Sequence, residues 1–196
     1  MPMHRQADHP IDPLFLNRWS PRAYDQSEMP EADLLCLFEA ARWAPSAFNW
    51  QPWRFLYARR GETEWERFLG LLIPWNQSWA HSASALIYIL SDTLPFTDKA
   101  GEPATSHTHS YDSGAAWACL ALQATLMGYQ AHGMSGVDFD RVREELGVPG
   151  RYRIEAAAAV GRIGDPATLP EKLRAREFPS GRKPIGEFAF KGGWPK

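Results

Sequence analysis

The chain has 196 residues, 44% of them hydrophobic, and a formal net charge of −2. That size and apolar content suit one compact domain spanning 1–196, and the near-balanced charge argues against nucleic acid or an anionic membrane as partner. Nine tryptophans are the compositional outlier; aromatics at that density point to a flat ligand, a large interface, or both. Cys36 and Cys119 lie in apolar, helix-like contexts and read as reduced core thiols of a cytoplasmic protein. Residues 1–10 read as flexible and lack the apolar core of a targeting segment. The longest apolar run, residues 83–90, is too short to cross a bilayer.

The spacing of Leu14, Phe15 and Trp19 predicts a short helix over 11–19, followed by a loop. A second helix starts near Pro30, with Glu31 and Asp33 at its positive end. It carries Leu34, Leu37, Phe38 and Ala41 at helical spacing and stops at Arg42, before Pro45. Residues 53–58 read as a strand, 59–62 as a turn, 64–72 as a helix, and the apolar run before Ser91 as a strand buried on both faces. Residues 94–108 are polar and broken by Pro and Gly, which predicts a mobile loop or lid. Residues 110–127 form the strongest helix. Ser110 or Asp112 can cap it, Gly128 ends it, and it is apolar almost all round, as a helix central to the domain or to a dimer would be. Gly133–Gly136 reads as a loop, and Asp138 caps a helix that ends before Gly147. Residues 154–163 form a strand of small side chains, 164–184 are proline-rich and basic, and Glu187–Phe190 could form a last strand. This irregular order argues for an α+β fold. The two common phosphate-cradling loops, GxGxxG after a strand and GxxxxGK[ST], are missing from the sequence.

Few residues advertise chemistry. Arg18, Ser20 and Arg22 alternate in "NRWSPRAY", and two guanidiniums with a hydroxyl can grip an anion. Taken alone such a string is more often a solvated face. A second basic cluster, "SGRKP" at 180–184, gains meaning only if it meets the first in space. "RWAPSAFNWQPWR", residues 42–54, is too aromatic for a solvated loop and too broken by proline for a helix. Its Ala44, Ser46 and Ala47 permit close backbone approach, and Asn49 and Gln51 could read a heterocycle edge. His107 and His109 lack a nearby third metal ligand and read as part of an exposed loop, and no GxSxG elbow is present.

In chain order, "RWSPRAY", "AARWAPSAFNWQPWRF", "NQSWAHSASALIYIL", "LMGYQAHGMSGVD" and "SGRKP" resemble the motifs of the FMN-dependent nitroreductase family, over most of the chain. The resemblance implies a three-layer α+β sandwich with a mixed central sheet. It implies an intertwined homodimer in which residues 164–196 embrace the partner. It also implies FMN at the dimer interface, with NAD(P)H as reductant and a nitroaromatic, quinone or similar small molecule as electron acceptor. By the same resemblance Arg18, Ser20 and Arg182 hold the FMN phosphate, Trp19 joins them among the cofactor-binding residues, and Arg22 supplies positive charge near the flavin pyrimidine. Pro45, Ser46, Ala47 and Asn49 come from the second subunit. Asn76 faces the ring or ribityl side, and Met134, Ser135 and Gly136 lie against the isoalloxazine. No side chain is assigned as catalytic and no metal is implied, because the flavin carries the chemistry. Where some members have a lysine near the pyrimidine, this chain has Trp79, and Ser180 stands where a basic residue often precedes the C-terminal motif. A flavin-storage protein and a homodimeric interaction module are the alternatives.

Overall fold

A computed structural model describes residues 5–195; the expectations for residues 1–4 and 196 lie outside the described residues. In chain order the elements are α1 (Pro13–Asn17), α2 (Glu31–Arg42), β1 (Trp53–Arg59), α3 (Trp65–Gly70), α4 (Pro74–Ala80), β2 (Ala85–Asp92), β3 (Phe96–Thr97) and β4 (Pro103–Ala104). They continue with α5 (His109–Leu126), β5 (Gln130–Met134), α6 (Phe139–Glu145), β6 (Tyr152–Gly161) and α7 (Glu171–Arg174).

The core sheet has the order β1-β2-β6-β5. Strand β2 is buried along its whole length, and its alternation divides the core. Leu86, Tyr88 and Leu90 face one cluster with Trp65, Phe68, Trp79 and Val142. Ala85, Ile87 and Ile89 face the other with Leu34, Leu37, Leu120 and Ala124. Helices α3, α4, α6 and α7 therefore cover one face and α2 and α5 the other, which is the expected three-layer α+β sandwich. Alanines 156–159 of β6 pair with Ile87, Tyr88 and their neighbours at the sheet centre. Their small side chains let helices approach closely on both sides.

Several expectations change. The sheet expected to be mixed is antiparallel at each of its three pairings within this chain. Strand β5 does run parallel to β2, to which it is joined through α5, but β6 lies between them, so no two neighbours of this sheet are parallel. Helix α4 and strand β5 were not legible as elements, and the loop expected at 133–136 begins inside β5. The expected lid at 94–108 contains the small β3–β4 hairpin and tucks Ser106 into the interior. Residues 187–190 form no strand; a 3-10 turn at Ile185–Glu187 runs into them. The two cysteines are not core thiols: Cys36 is exposed and Cys119 half-buried. Helix α5 buries Asp112, Ser113, Ala116, Leu120, Ala121 and Ala124. Its opposite side stays open within the chain, with Tyr111 at 80% and Leu126 at 66% exposure. Of the C-terminal stretch, Leu169 and Leu173 pack into the chain's own core, whereas residues 181–195 are exposed. Among the described residues no helix is long and apolar enough to cross a membrane.

Candidate functional site

The two basic clusters meet. Helix α1 starts at Asp12, whose carboxylate accepts from Leu14 N at 2.8 Å, with Pro13 at the first helical position. After Asn17 the backbone runs extended alongside β5. Trp19 N donates to Gln130 Oε1 at 3.1 Å, and His132 Nδ1 donates to Pro21 O at 2.8 Å. The far end of the chain is tied to the same stretch. Glu177 Oε1 accepts from the backbone N–H of Arg22 at 2.6 Å and of Ala23 at 2.9 Å. Arg5 completes the junction by donating to Ser180 O at 2.9 Å, Leu16 O at 2.8 Å and Arg18 O at 2.7 Å.

The result is a cavity of about 290 Å³ walled by Arg5, Arg18, Ser20, Arg22 and Arg182, with Trp19 and Arg176 also on its lining. Arg18 Nη1 donates to Ser20 Oγ at 3.3 Å. Burial lowers the pKa of both Arg18 and Arg5, and the charge of Arg182 lowers each further. Crowded, partly desolvated guanidiniums are costly to assemble and gain most from a multivalent anion. His132 adds no charge at neutral pH: burial pushes it down to about 4, and the Arg22 and Arg18 charges act the same way against its bond to Pro21. Glu177 lies behind this lining, bonded to the Arg22 and Ala23 backbone. Its side chain is only 1% exposed, and its Oε2 lies 3.8 Å from Arg22 Nη1. Arg22, expected to present a free charge, is thus partly neutralised by this pairing.

The second group of expected residues also converges. Asn76 is buried, and its Nδ2 donates to Gly136 O at 3.0 Å. Ile73 N donates to the same carbonyl at 3.1 Å. A Cβ on Gly136 would come within 2.7 Å of Ile73 and collide with the Asn76 amide, so only glycine allows this approach of loop to helix. Met134 is buried and Ser135 exposed. One turn beyond Asn76, Trp79 packs on His132 with ring centroids 4.6 Å apart. Helix α4 is thereby joined to the wall of the arginine cavity. A further hollow of about 420 Å³ runs from Arg18 and Ser20 along Trp117, Ala118 and Leu122 of α5.

The third group stands apart. Pro45, Ser46, Ala47 and Asn49 line neither cavity that Arg18 and Ser20 share. Ala47–Asn49 is a 3-10 turn, pinned where Ala47 N donates to Asp112 Oδ2 at 3.2 Å and Gln51 N to Ser46 Oγ at 3.1 Å. Phe48, Asn49 and Gln51 have φ of 49°, 58° and 51°, left-handed values uncommon for residues with a Cβ and most costly for a bulky one. Phe48 is nevertheless 88% exposed and Trp43 75%. Phe48 stacks on Trp50, and Trp50 on Phe96 at 4.2 Å.

Sequence reasoning missed Arg5, His132 and Glu177. Glu177 was findable as the acid inside the basic run "LRAREFPSGRKP". His132 was not, because its strand was unrecognised. His109, read as part of an exposed loop, instead opens α5 and hydrogen-bonds Ser91 at 2.7 Å.

Residues 16–73 and 72–162 match the model of the Nitroreductase family. A crystal structure of an oxidoreductase containing FMN superposes with a TM-score of 0.95 at 48% identity, covering 97% of this chain and 96% of that one. An uncharacterized 15.4 kDa protein of Mycolicibacterium smegmatis is 35% identical over 149 residues, covering 72% of this chain and 97% of that protein. An NADH dehydrogenase of Thermus thermophilus is 30% identical over 173 residues, covering 74% of this chain and 83% of its relative.

Proposed function

Because the chain belongs to the nitroreductase family, we propose that it is an FMN-dependent oxidoreductase that carries a hydride from NAD(P)H to a nitroaromatic, quinone or similar flat acceptor. The observation that carries this reading is the arginine cavity, where Arg18, Arg182 and Arg5 crowd one another. A phosphate monoester is the anion that such a set of guanidiniums and a hydroxyl fits best. Arg18, Ser20 and Arg182 would hold it. Arg22 would add charge beside the pyrimidine, and Asn76 with the 134–136 backbone would line the ring.

When held by Arg18, Ser20, Arg182 and the 134–136 backbone, FMN would supply the redox chemistry between nicotinamide and acceptor. The chain's own contribution is to bind, orient and exclude water. Fixed cations in a partly dry cavity favour negative charge without reorganising. His132, neutral at working pH, keeps its proton on Nδ1 for Pro21. The site is completed by a second copy. The turn at 45–49 and the open face of α5 contribute to the partner's flavin, which accounts for strained, exposed aromatics with no ligand-binding role in their own chain.

Titration of the flavin-free protein with FMN and with riboflavin tests the assignment. Tighter binding of FMN, with the excess lost in Arg182→Ala, is the expected result. Equal affinity for the two flavins would refute it. The bleaching of bound yellow flavin by NADH or NADPH separates an oxidoreductase from a storage protein.

A further inference from the structure

The cavity raises a problem of assembly. Its walls come from residues 5, 18–22 and 176–182, and nearly all its side-chain charge is positive. Such a set repels itself before any anion arrives. The stretch 175–182 belongs to no helix or strand, and residues 181–195 are exposed. Something must hold Ser180 and Arg182 opposite Arg18.

Glu177 is placed to do this. One oxygen accepts from two successive backbone N–H groups, Arg22 and Ala23, across 155 residues of sequence. Its other oxygen is buried, lacks a hydrogen-bond partner among the described residues, and faces Arg22 Nη1 at 3.8 Å. Burying a carboxylate in this way is unfavourable unless its bonds are kept. The Tyr24 hydroxyl, itself buried, is held in its protonated form first by burial and then by the Glu177 charge, so that charge sits between the core and the cationic cavity. Arg5 adds a second tie through Ser180 O, but from a flexible side chain at the chain's edge.

We propose that Glu177 is the positioning residue of the phosphate site: by accepting from Arg22 N and Ala23 N it locks the C-terminal segment against the extended 18–23 stretch, so that Arg182 and Arg18 face one anion. This rests on the phosphate-binding reading given above. Glu177 touches neither phosphate nor flavin in this account; it acts through the backbone. The bonds to two N–H groups, more than the charge, are therefore what the site requires.

The test measures the phosphate increment, the ratio of riboflavin to FMN dissociation constants, by flavin fluorescence on folded full-length protein. In Glu177→Ala the increment should fall by about tenfold or more, as for loss of charge-assisted contacts. Riboflavin affinity should change far less. Glu177→Gln keeps an acceptor oxygen and should retain most of the increment, whereas Glu177→Asp, one methylene shorter, should lose it. The Asp variant keeps the question answerable if the Ala variant does not fold. A wild-type protein without any phosphate increment would overturn the phosphate reading and this proposal together. A wild-type increment that survives in folded Glu177→Ala or Glu177→Asp would overturn this proposal alone. So would an equal loss in Glu177→Gln, which would make charge the operative property.

Discussion

Two regions of this molecule carry residues expected to touch flavin, and they differ in kind. The arginine cavity is finished within one chain. Its extended 18–22 stretch is bonded to side chains of β5, its C-terminal wall is pinned by Glu177, and Arg5, Arg18 and Arg22 are half-buried. The turn at 47–49 is also well held, by Asp112, but it holds nothing. It combines left-handed backbone with the exposed ring of Phe48, and its residues line neither cavity that Arg18 and Ser20 share. A region that is strained and exposed keeps those features for something outside the chain. In the proposed reading one half of the site is a receptor and the other half caps the receptor of a second copy.

That contrast can be broken at either end. The largest effect is expected at the cavity. Combining Arg18→Ala with Arg182→Ala removes two charge-assisted contacts to phosphate and should weaken FMN by roughly a hundredfold or more. Riboflavin titration and the melting temperature should both stay close to wild type. A matching loss of riboflavin affinity would place these arginines at the ring or in the fold.

The next effect is a pH dependence confined to the cavity side. His132 is held near 4 in the folded protein against an ordinary 6.5. Its folded state prefers the neutral ring, so its stabilising contribution is complete above about 6.5 and is lost as pH falls toward 4. Allowing for partial exposure, the loss is about 2 kcal/mol. Urea unfolding at pH 7 and at pH 4.5 should show His132→Gln losing less stability over that interval than wild type. Equal losses would mean that other groups account for the acid sensitivity. No comparable titrating group lies in the turn at 45–49.

The smallest effect sharpens the other end. Phe48 adopts a backbone conformation that glycine adopts freely, and its ring is almost wholly exposed. Phe48→Gly should leave the unfolding free energy of the isolated chain within about 1 kcal/mol of wild type. Self-association, measured by sedimentation, should weaken. A large loss of chain stability with unchanged association would return the turn to an ordinary structural role.

The legibility of the sequence followed the same division. Long periodic stretches gave α2, β1, β2, α5, α6 and β6, because burial on one face or both leaves a local pattern. Strand β5 did not, since five residues containing His132 and Gly133 carry little alternation or β-propensity. Helix α4 is seven residues with two tryptophans, too short for its period to show. The members of the basic clusters were readable as residue types, but their meeting was not. It depends on Glu177 reaching Arg22 across 155 positions, and nothing local encodes that separation. The resemblance to a family gave the grouping of Asn76 with Gly136, and the structure supplied its reason in the glycine's close approach to Ile73.

The division of the site between two copies is the central claim, and mixing defective chains tests it most directly. One chain carries Arg18→Ala with Arg182→Ala; the other carries Ala47→Trp, which obstructs the turn. The two are co-expressed with different affinity tags and purified through both. If cavity and turn of one site come from different copies, one site of each mixed dimer inherits both defects and the other is intact. The mixed dimer should then bind about one FMN with wild-type affinity, as two-fold symmetry requires, while each parental dimer binds weakly at both sites. A mixed dimer that binds no better than either parent would contradict the account and put cavity and turn in the same chain.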